Sequence, residues 1–307
     1  TVPLFHCFGM TVGIIGSMIA GSSIVLLQKY HSISVFEAIQ NNKCTILNGV
    51  PSMFLAMVRN DRFKDFDLSS LRSGIIAGSP ILKEEYLSVC EQLKGIKLQP
   101  SYGLTETSPC VAMCDLDVSL EKKAVSAGKI IENVSVKIID NDTGLECKAG
   151  ESGEIFVKGY NVTQGYLSTD PVLCDALRPD GWFMTGDIGY LDEDGYLYIV
   201  GRRKNLIIRG GENISPTEIE RYIKQVKKDI EVFVYGMKTD VLQEEIVACI
   251  ECEEDENLEK EIREYLKENI SKYKIPRFIV FVKEFPRSPT GKIDEKNLKK
   301  SVNEMLK

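Results

Sequence analysis

The chain has 307 residues, 43% hydrophobic and 27% charged, enough to bury a sizeable core and to fold as two or more units. A net charge of -7 and a pI near 5.2 exclude a broad nucleic-acid surface, which needs a concentrated basic face, and leave only local basic patches for phosphate groups. Nine cysteines are an odd number with no disulfide framework in their spacing, which favours reduced thiols in a cytoplasmic setting.

Taken from the N-terminus, the run Met10 to Leu27 holds no charge and approaches the length that spans a bilayer. Gly13, Gly16, Ser17, Gly21, Ser22 and Ser23 interrupt it. The expectation is a packed helix to about Ala20, a turn and a buried strand at Ile24 to Leu27, with no membrane span. From residue 1 to about 128, helical stretches alternate with short apolar strands, the pattern of stacked βαβ units. Within it, Ser73 to Gly78 reads as a buried strand, and Ser79-Pro80 supplies a capping Ser with Pro at the first helical position. A strand running into a helix start is where such folds place ligands. Residues 129–201 change to short strands at Val134 to Ile139, Gly153 to Lys158 and Tyr196 to Val200, separated by Asp/Gly/Asn turns, a small β-barrel or sandwich pattern.

After residue 201 the pattern becomes α+β. Ser215-Pro216-Thr217-Glu218 is a capping box with Pro in the first turn, and Leu258, Ile262, Leu266 and Ile270 share one helix face. Phe278 to Val282 is a further strand. Cys249-Ile250-Glu251-Cys252 is a lone CxxC inside a strand-like run, with His6 and His31 far away in sequence, so no zinc site is expected. The fold class predicted is α/β: a βαβ-type subdomain (1–128), a small β-barrel (129–201) and a separate α+β C-terminal domain (202–307).

Four motifs carry the functional reading. They are Ser101-Tyr102-Gly103-Leu104-Thr105-Glu106, then Thr185-Gly186-Asp187, then Gly201-Arg202-Arg203-Lys204 running into Gly210-Gly211-Glu212-Asn213-Ile214, and finally Pro286-Arg287-Ser288-Pro289-Thr290-Gly291-Lys292-Ile293. In this order, over nearly the whole chain, they resemble the adenylate-forming superfamily of acyl-CoA synthetases, adenylation domains of peptide synthetases, and luciferases. The resemblance implies an enzyme that joins a carboxylic acid to the AMP part of ATP, releases pyrophosphate and passes the acyl group to a thiol. It also implies a Ser/Thr/Gly-rich phosphate loop ahead of Pro3-Leu4-Phe5-His6, so the chain is expected to be the C-terminal part of a longer enzyme and inactive by itself.

Adenylation brings two anions together, so it needs a grip on AMP, a cation on the departing pyrophosphate, and positive charge where carboxylate and α-phosphate meet. By resemblance, Tyr102 lies against the adenine, Thr105 hydrogen-bonds the α-phosphate and Glu106 helps hold Mg²⁺, an ion that seeks oxygen ligands. Pro100-Ser101 stands where many relatives carry Gly before the Tyr. Asp187 is expected to accept from both ribose hydroxyls, with Arg202 on the same sugar. Gly78, Ser79 and Gly103 border the nucleotide, the glycines either for close approach or for tight turns. Lys292 is the adenylation catalyst the motif implies, a mobile ammonium bridging carboxylate and phosphate; the adjoining Gly291 does not make a P-loop, because Ile293 replaces the required Ser/Thr. Lys204 matches the hinge about which the C-terminal domain turns between catalytic poses, one using Lys292 and the other the CoA-binding Gly210, Gly211 and Glu212. His6, in Phe5-His6-Cys7-Phe8-Gly9, and Ala77 are expected at the acyl pocket.

The favoured function is an ATP-dependent carboxylate:CoA ligase, most like medium- and long-chain fatty acyl-CoA synthetases, with ATP, Mg²⁺ and CoA as cofactors and a fatty acid as partner. Alternatives are an aryl-acid or stand-alone adenylation enzyme that loads a carrier protein, and a nucleotide-binding module without catalysis.

Overall fold

The computed structural model describes residues 2–167, 176–209, 212–227, 230–239, 243–287 and 293–306, and of Lys204 and Asn213 the backbone only. The chain divides into two compact units, residues 1–199 and 200–307.

In the first unit, β1 (Ser73–Ala77) and β2 (Lys97–Tyr102) are parallel, with Ala77 opposite Ser101 at their carboxyl ends. The crossover between them is the helix Lys83–Gln92, so the expected βαβ unit is present. Residues 46–49 run parallel to β1 on its other side, where Leu47 N–H donates to Ser73 O and Gly49 N–H to Ile75 O. The helices Ser32–Asn42, Pro51–Val58 and Lys83–Gln92 bury Phe36, Phe54 and Tyr86 against these strands. The hydroxyl of the fully buried Tyr86 donates to Leu98 O at 2.8 Å, so it is satisfied by the strand beneath it.

The sheet continues through β3 (Ala112–Met113) and β4 (Gly128–Ile130) to β8 (Tyr196–Arg202), β7 (Phe183–Leu191), β6 (Gly153–Gly159) and β5 (Val134–Ile139). Among the described residues these eight strands form one sheet, so strands from both sides of residue 128 are hydrogen-bonded to each other. Val111, Ile138, Ile155, Val157 and Leu197 make a second core over its antiparallel part.

Three local expectations need correction. Ile24 to Leu27 forms no strand, and Ile24, Val25 and Leu26 are exposed; a strand needs a ladder partner, and none of the described residues runs beside it. The helix after β1 starts at Lys83 rather than at Ser79-Pro80, and its amino end is closed by Glu85, whose carboxylate accepts from Leu82 N–H at 3.4 Å. Ser215 does stand at the N-cap of the helix Pro216–Val226, but its hydroxyl donates to Val200 O at 3.1 Å instead of accepting from the helix, and Glu218 is paired with Lys274.

The second unit is built on β11 (Glu231–Thr239) and β12 (Gln243–Glu251), antiparallel, with β13 (Phe278–Val282) parallel to β12 and β9 (Ile207–Arg209) on its other side, which in turn pairs with β10 (Glu212–Ile214). Alternation along the strands fills two cores. Val232, Val234, Ile246, Ala248 and Ile250 face the helices Pro216–Val226 and Glu256–Asn269, while Phe233, Tyr235, Val247 and Cys249 face the helix Glu295–Met305. The lone CxxC is split between these faces, Cys249 in one core and Cys252 against the other. Burial pushes the Cys249 thiol up to about 12.

Candidate active site

The carboxyl ends of β1 and β2 lie side by side, and the chain leaves both into exposed turns at Gly78-Ser79 and at Gly103. Gly78 has φ +94, which an L side chain rarely adopts. Gly103 has a different reason to be Gly: a Cβ there would lie 1.7 Å from Pro109 O, so the turn that returns past it fixes the residue type. Ala77, the last residue of β1, is half-buried beside them.

Tyr102 ends β2, and its hydroxyl donates to Asp187 Oδ2 at 2.7 Å across 85 residues of sequence. Asp187 is 5% exposed and sits in β7. Local bonds shape that strand: Thr185 Oγ1 donates to Ile155 O at 2.8 Å and accepts from Asp187 N–H at 3.0 Å, while Gly186, with φ +70, donates its N–H to Glu154 Oε1. The register of β6 against β7 shifts between Glu154 and Phe156. A bulge of this kind re-aims a side chain, and here it accompanies the turn of Asp187 toward Tyr102.

Beyond Gly103 the chain makes a 3-10 turn, Thr105–Thr107. Thr105 is exposed and Glu106 half-buried, while Thr107 is buried and its Oγ1 accepts from Leu104 N–H at 2.9 Å. The N-terminal segment reaches the same turn, because Cys7 Sγ lies 3.7 Å from Thr105 Oγ1. His6 is exposed next to it, its Nδ1 3.7 Å from that thiol. Six predicted positions, His6, Ala77, Tyr102, Thr105, Glu106 and Asp187, are therefore linked through neighbouring turns or direct bonds in the first unit.

These residues offer an acidic group at Asp187 held by a phenol, a hydroxyl at Thr105, and a carboxylate at Glu106. Glu106 suits a cation that arrives already chelated by phosphates, since Mg²⁺ in such sites takes one or two protein carboxylates and fills its remaining positions from phosphate and water. Among the described residues no cluster of three His, Cys, Asp or Glu side chains gathers to form a closed cage.

The model of the AMP-binding enzyme family matches residues 1–167, and that of the AMP-binding enzyme C-terminal domain matches residues 218–292. The chain belongs to the AMP-binding enzyme family. It is 37% identical to the mouse (Mus musculus) mitochondrial medium-chain acyl-CoA ligase ACSF2 over 99% of this chain and 50% of that protein. Among solved structures it is similar to ATP-bound MatB from Rhodopseudomonas palustris, with a TM-score of 0.89 and 28% identity over 100% of this chain and 60% of that one. It is likewise similar to the o-succinylbenzoate CoA synthetase MenE of Bacillus subtilis in complex with its acyl-adenylate, at TM-score 0.84 and 31% identity over 97% and 59%. The chain spans about half the length of the curated relatives it matches. Membership of the adenylate-forming superfamily and the mixed α/β fold with a second, smaller sheet are thereby established.

In the second unit, Arg202 ends β8 and Glu212 opens β10 opposite Arg209, both exposed. Gly210, Gly211 and Lys292 lie outside the described residues, as does the side chain of Lys204. Within the Lys292 motif, Arg287 pairs with Ile293, and Glu251 at the end of β12 accepts from Phe285 N–H and Arg287 Nη2 at 2.6 and 2.9 Å. Sequence reading missed Asn161, Thr163 and Tyr166, which bond to the Thr105–Thr107 turn and its flanks. Nothing in their spacing marks them, because their partners are more than fifty residues away.

Among the described residues no helix is long and apolar enough to cross a membrane.

Proposed function

We propose that this chain carries the nucleotide-binding and catalytic parts of an AMP-forming acid–thiol ligase that acts on a fatty acid, ATP and CoA. The observation that carries the reading is the 2.7 Å bond from Tyr102 to Asp187 at the carboxyl ends of the sheet, beside Gly78-Ser79 and Thr105. That bond fixes the orientation of the Asp187 carboxylate, the acceptor proposed for the ribose diol, and a tyrosine held at its hydroxyl presents its ring to a base.

In this mechanism Thr105 donates its hydroxyl to the α-phosphate, and Glu106 would help hold Mg²⁺, which would supply positive charge against the pyrophosphate. Lys292 supplies the ammonium between the acid and the α-phosphate as the carboxylate oxygen attacks phosphorus and the bond to pyrophosphate breaks. Arg202 takes the ribose, Lys204 is the hinge, and Gly210, Gly211 and Glu212 admit the pantetheine arm of CoA for the second step. The medium-chain ligase named above supports an aliphatic acid; MenE, with its aromatic substrate, supports the aryl alternative.

The test is equilibrium binding of two non-hydrolysable acyl-adenylates, one aliphatic and one aromatic, compared with AMP. Tighter binding of the aliphatic analogue is expected. Tighter binding of the aromatic one replaces the fatty acid with an aryl acid, and failure of all three to bind contradicts the proposal.

A further inference from the structure

One loop holds Glu106 from two directions. After β6 ends at Gly159, Asn161 is buried and its Nδ2 donates to Thr107 O at 3.0 Å and Cys110 O at 2.6 Å, on either side of the turn's exit. Two residues on, Thr163 N–H donates to Glu106 O at 2.8 Å. Tyr166 then places its hydroxyl 2.8 Å from Glu106 Oε1. The backbone of the turn is thus clamped by Asn161 and Thr163, while Tyr166 bonds to the carboxylate itself.

The last contact does more than hold the chain in place. An unrestrained Glu side chain samples several rotamers and must lose that freedom when it meets a ligand. Here the phenol takes Oε1, and among the described residues Oε2 takes no hydrogen bond.

We propose that Tyr166 is a positioning residue that fixes the Glu106 carboxylate so that Oε2 meets the divalent cation carried by ATP. This rests on the reading of Glu106 as the cation-holding carboxylate. Asn161 and Thr163 set the height of the turn, and Tyr166 sets the direction of the charge. The bond to a charged acceptor is of the stronger class, and its loss leaves Glu106 able to reach the cation only after ordering itself.

The experiment is calorimetric titration of ATP at a series of magnesium concentrations, with AMP in the absence of metal as the reference, for the wild-type chain, Tyr166→Phe, Glu106→Gln and the double variant. Tyr166→Phe is expected to leave metal-free AMP affinity as in the wild type and to raise the magnesium needed for half-maximal ATP binding by about 3- to 10-fold, the cost of ordering one released Glu side chain on binding. In the Glu106→Gln background the Phe substitution adds nothing further, because the two residues act through one bond. If Tyr166→Phe keeps the wild-type magnesium requirement while Glu106→Gln shifts it, the positioning role is wrong and the Glu106 assignment stands. If Tyr166→Phe weakens AMP and magnesium-dependent ATP binding alike, the residue is only structural and the inference fails. Absence of ATP binding, or an unchanged magnesium requirement in both single variants, overturns the inference and the Glu106 assignment together.

Discussion

Residues 1–199 and 200–307 treat their motifs differently. In the first unit Tyr102 is bonded to Asp187, and Glu106 to Tyr166, so the motif side chains are parts of the packing. In the second, the polar motif residues Arg202 and Glu212 are exposed at strand ends, while Ile214 of the same motif fills one core and Arg287 is held by Glu251. A binding site gains from groups ordered before the ligand arrives, since their entropy is lost during folding rather than on binding. A group that serves only one step gains from being kept off the core. The contrast is what the proposed function asks for, a first unit that grips AMP and a second that supplies the residues of each half-reaction.

The sharpest way to break this comparison is Lys292→Ala. In the longer enzyme expected from the sequence, acid-dependent pyrophosphate exchange should fall by about 10²- to 10³-fold, as when one charge-stabilising donor is removed, with AMP affinity unchanged by calorimetry. Loss of AMP binding in that variant would place Lys292 with the preformed half and erase the contrast. Asn161→Leu probes the other side. It leaves the Thr107 and Cys110 carbonyls without their donor beneath the turn, and urea unfolding is expected to show a loss of about 2–4 kcal/mol with AMP binding weakened in parallel.

Glu220→Gln tests the second unit through its core rather than its motifs. Glu220 accepts from Val234 N–H at 2.8 Å, and burial raises its carboxyl from 4.5 to about 7. Below pH 4.5 the group is protonated both folded and unfolded and contributes no pH dependence. As pH climbs toward 7 the unfolded chain ionises first, so the wild type loses stability, and above 7 the loss is complete. The Gln variant is expected to match wild type at pH 4 and to unfold at higher temperature at pH 8, read by thermal scans, while AMP affinity stays the same. The smallest effect is expected for Cys7→Ser: its thiol is 3.7 Å from Thr105 Oγ1, a weak contact, and AMP affinity should move by no more than about twofold.

Local periodicity made much of this fold legible. Val134 to Ile139 and Phe278 to Val282 are strands with the expected bounds, and Leu258, Ile262 and Leu266 are buried on one helix face as the spacing requires. Each depends on contacts along one element, which pattern records. Ile24 to Leu27 misled because an apolar run reports a wish for burial and not the presence of a partner strand. Ser215 misled because its hydroxyl had a nearer acceptor in Val200 O. At the site, the motifs named Tyr102 and Asp187 separately, but their bond depends on how β2 and β7 come together in the fold, and the bulge between Glu154 and Phe156 leaves no signature in composition. Tyr166 was invisible for the same reason: its meaning lies in a partner 60 residues earlier.

The central claim is that the first unit holds a preformed AMP site. Calorimetric titration of AMP into this chain and into Asp187→Ala, with folding checked by circular dichroism, tests it most directly. Two charge-assisted bonds to the ribose are at stake, and the account predicts binding by the wild type that weakens by about 100-fold or more in the variant. Equal affinity in the two proteins, or no binding by the wild-type chain, would contradict it.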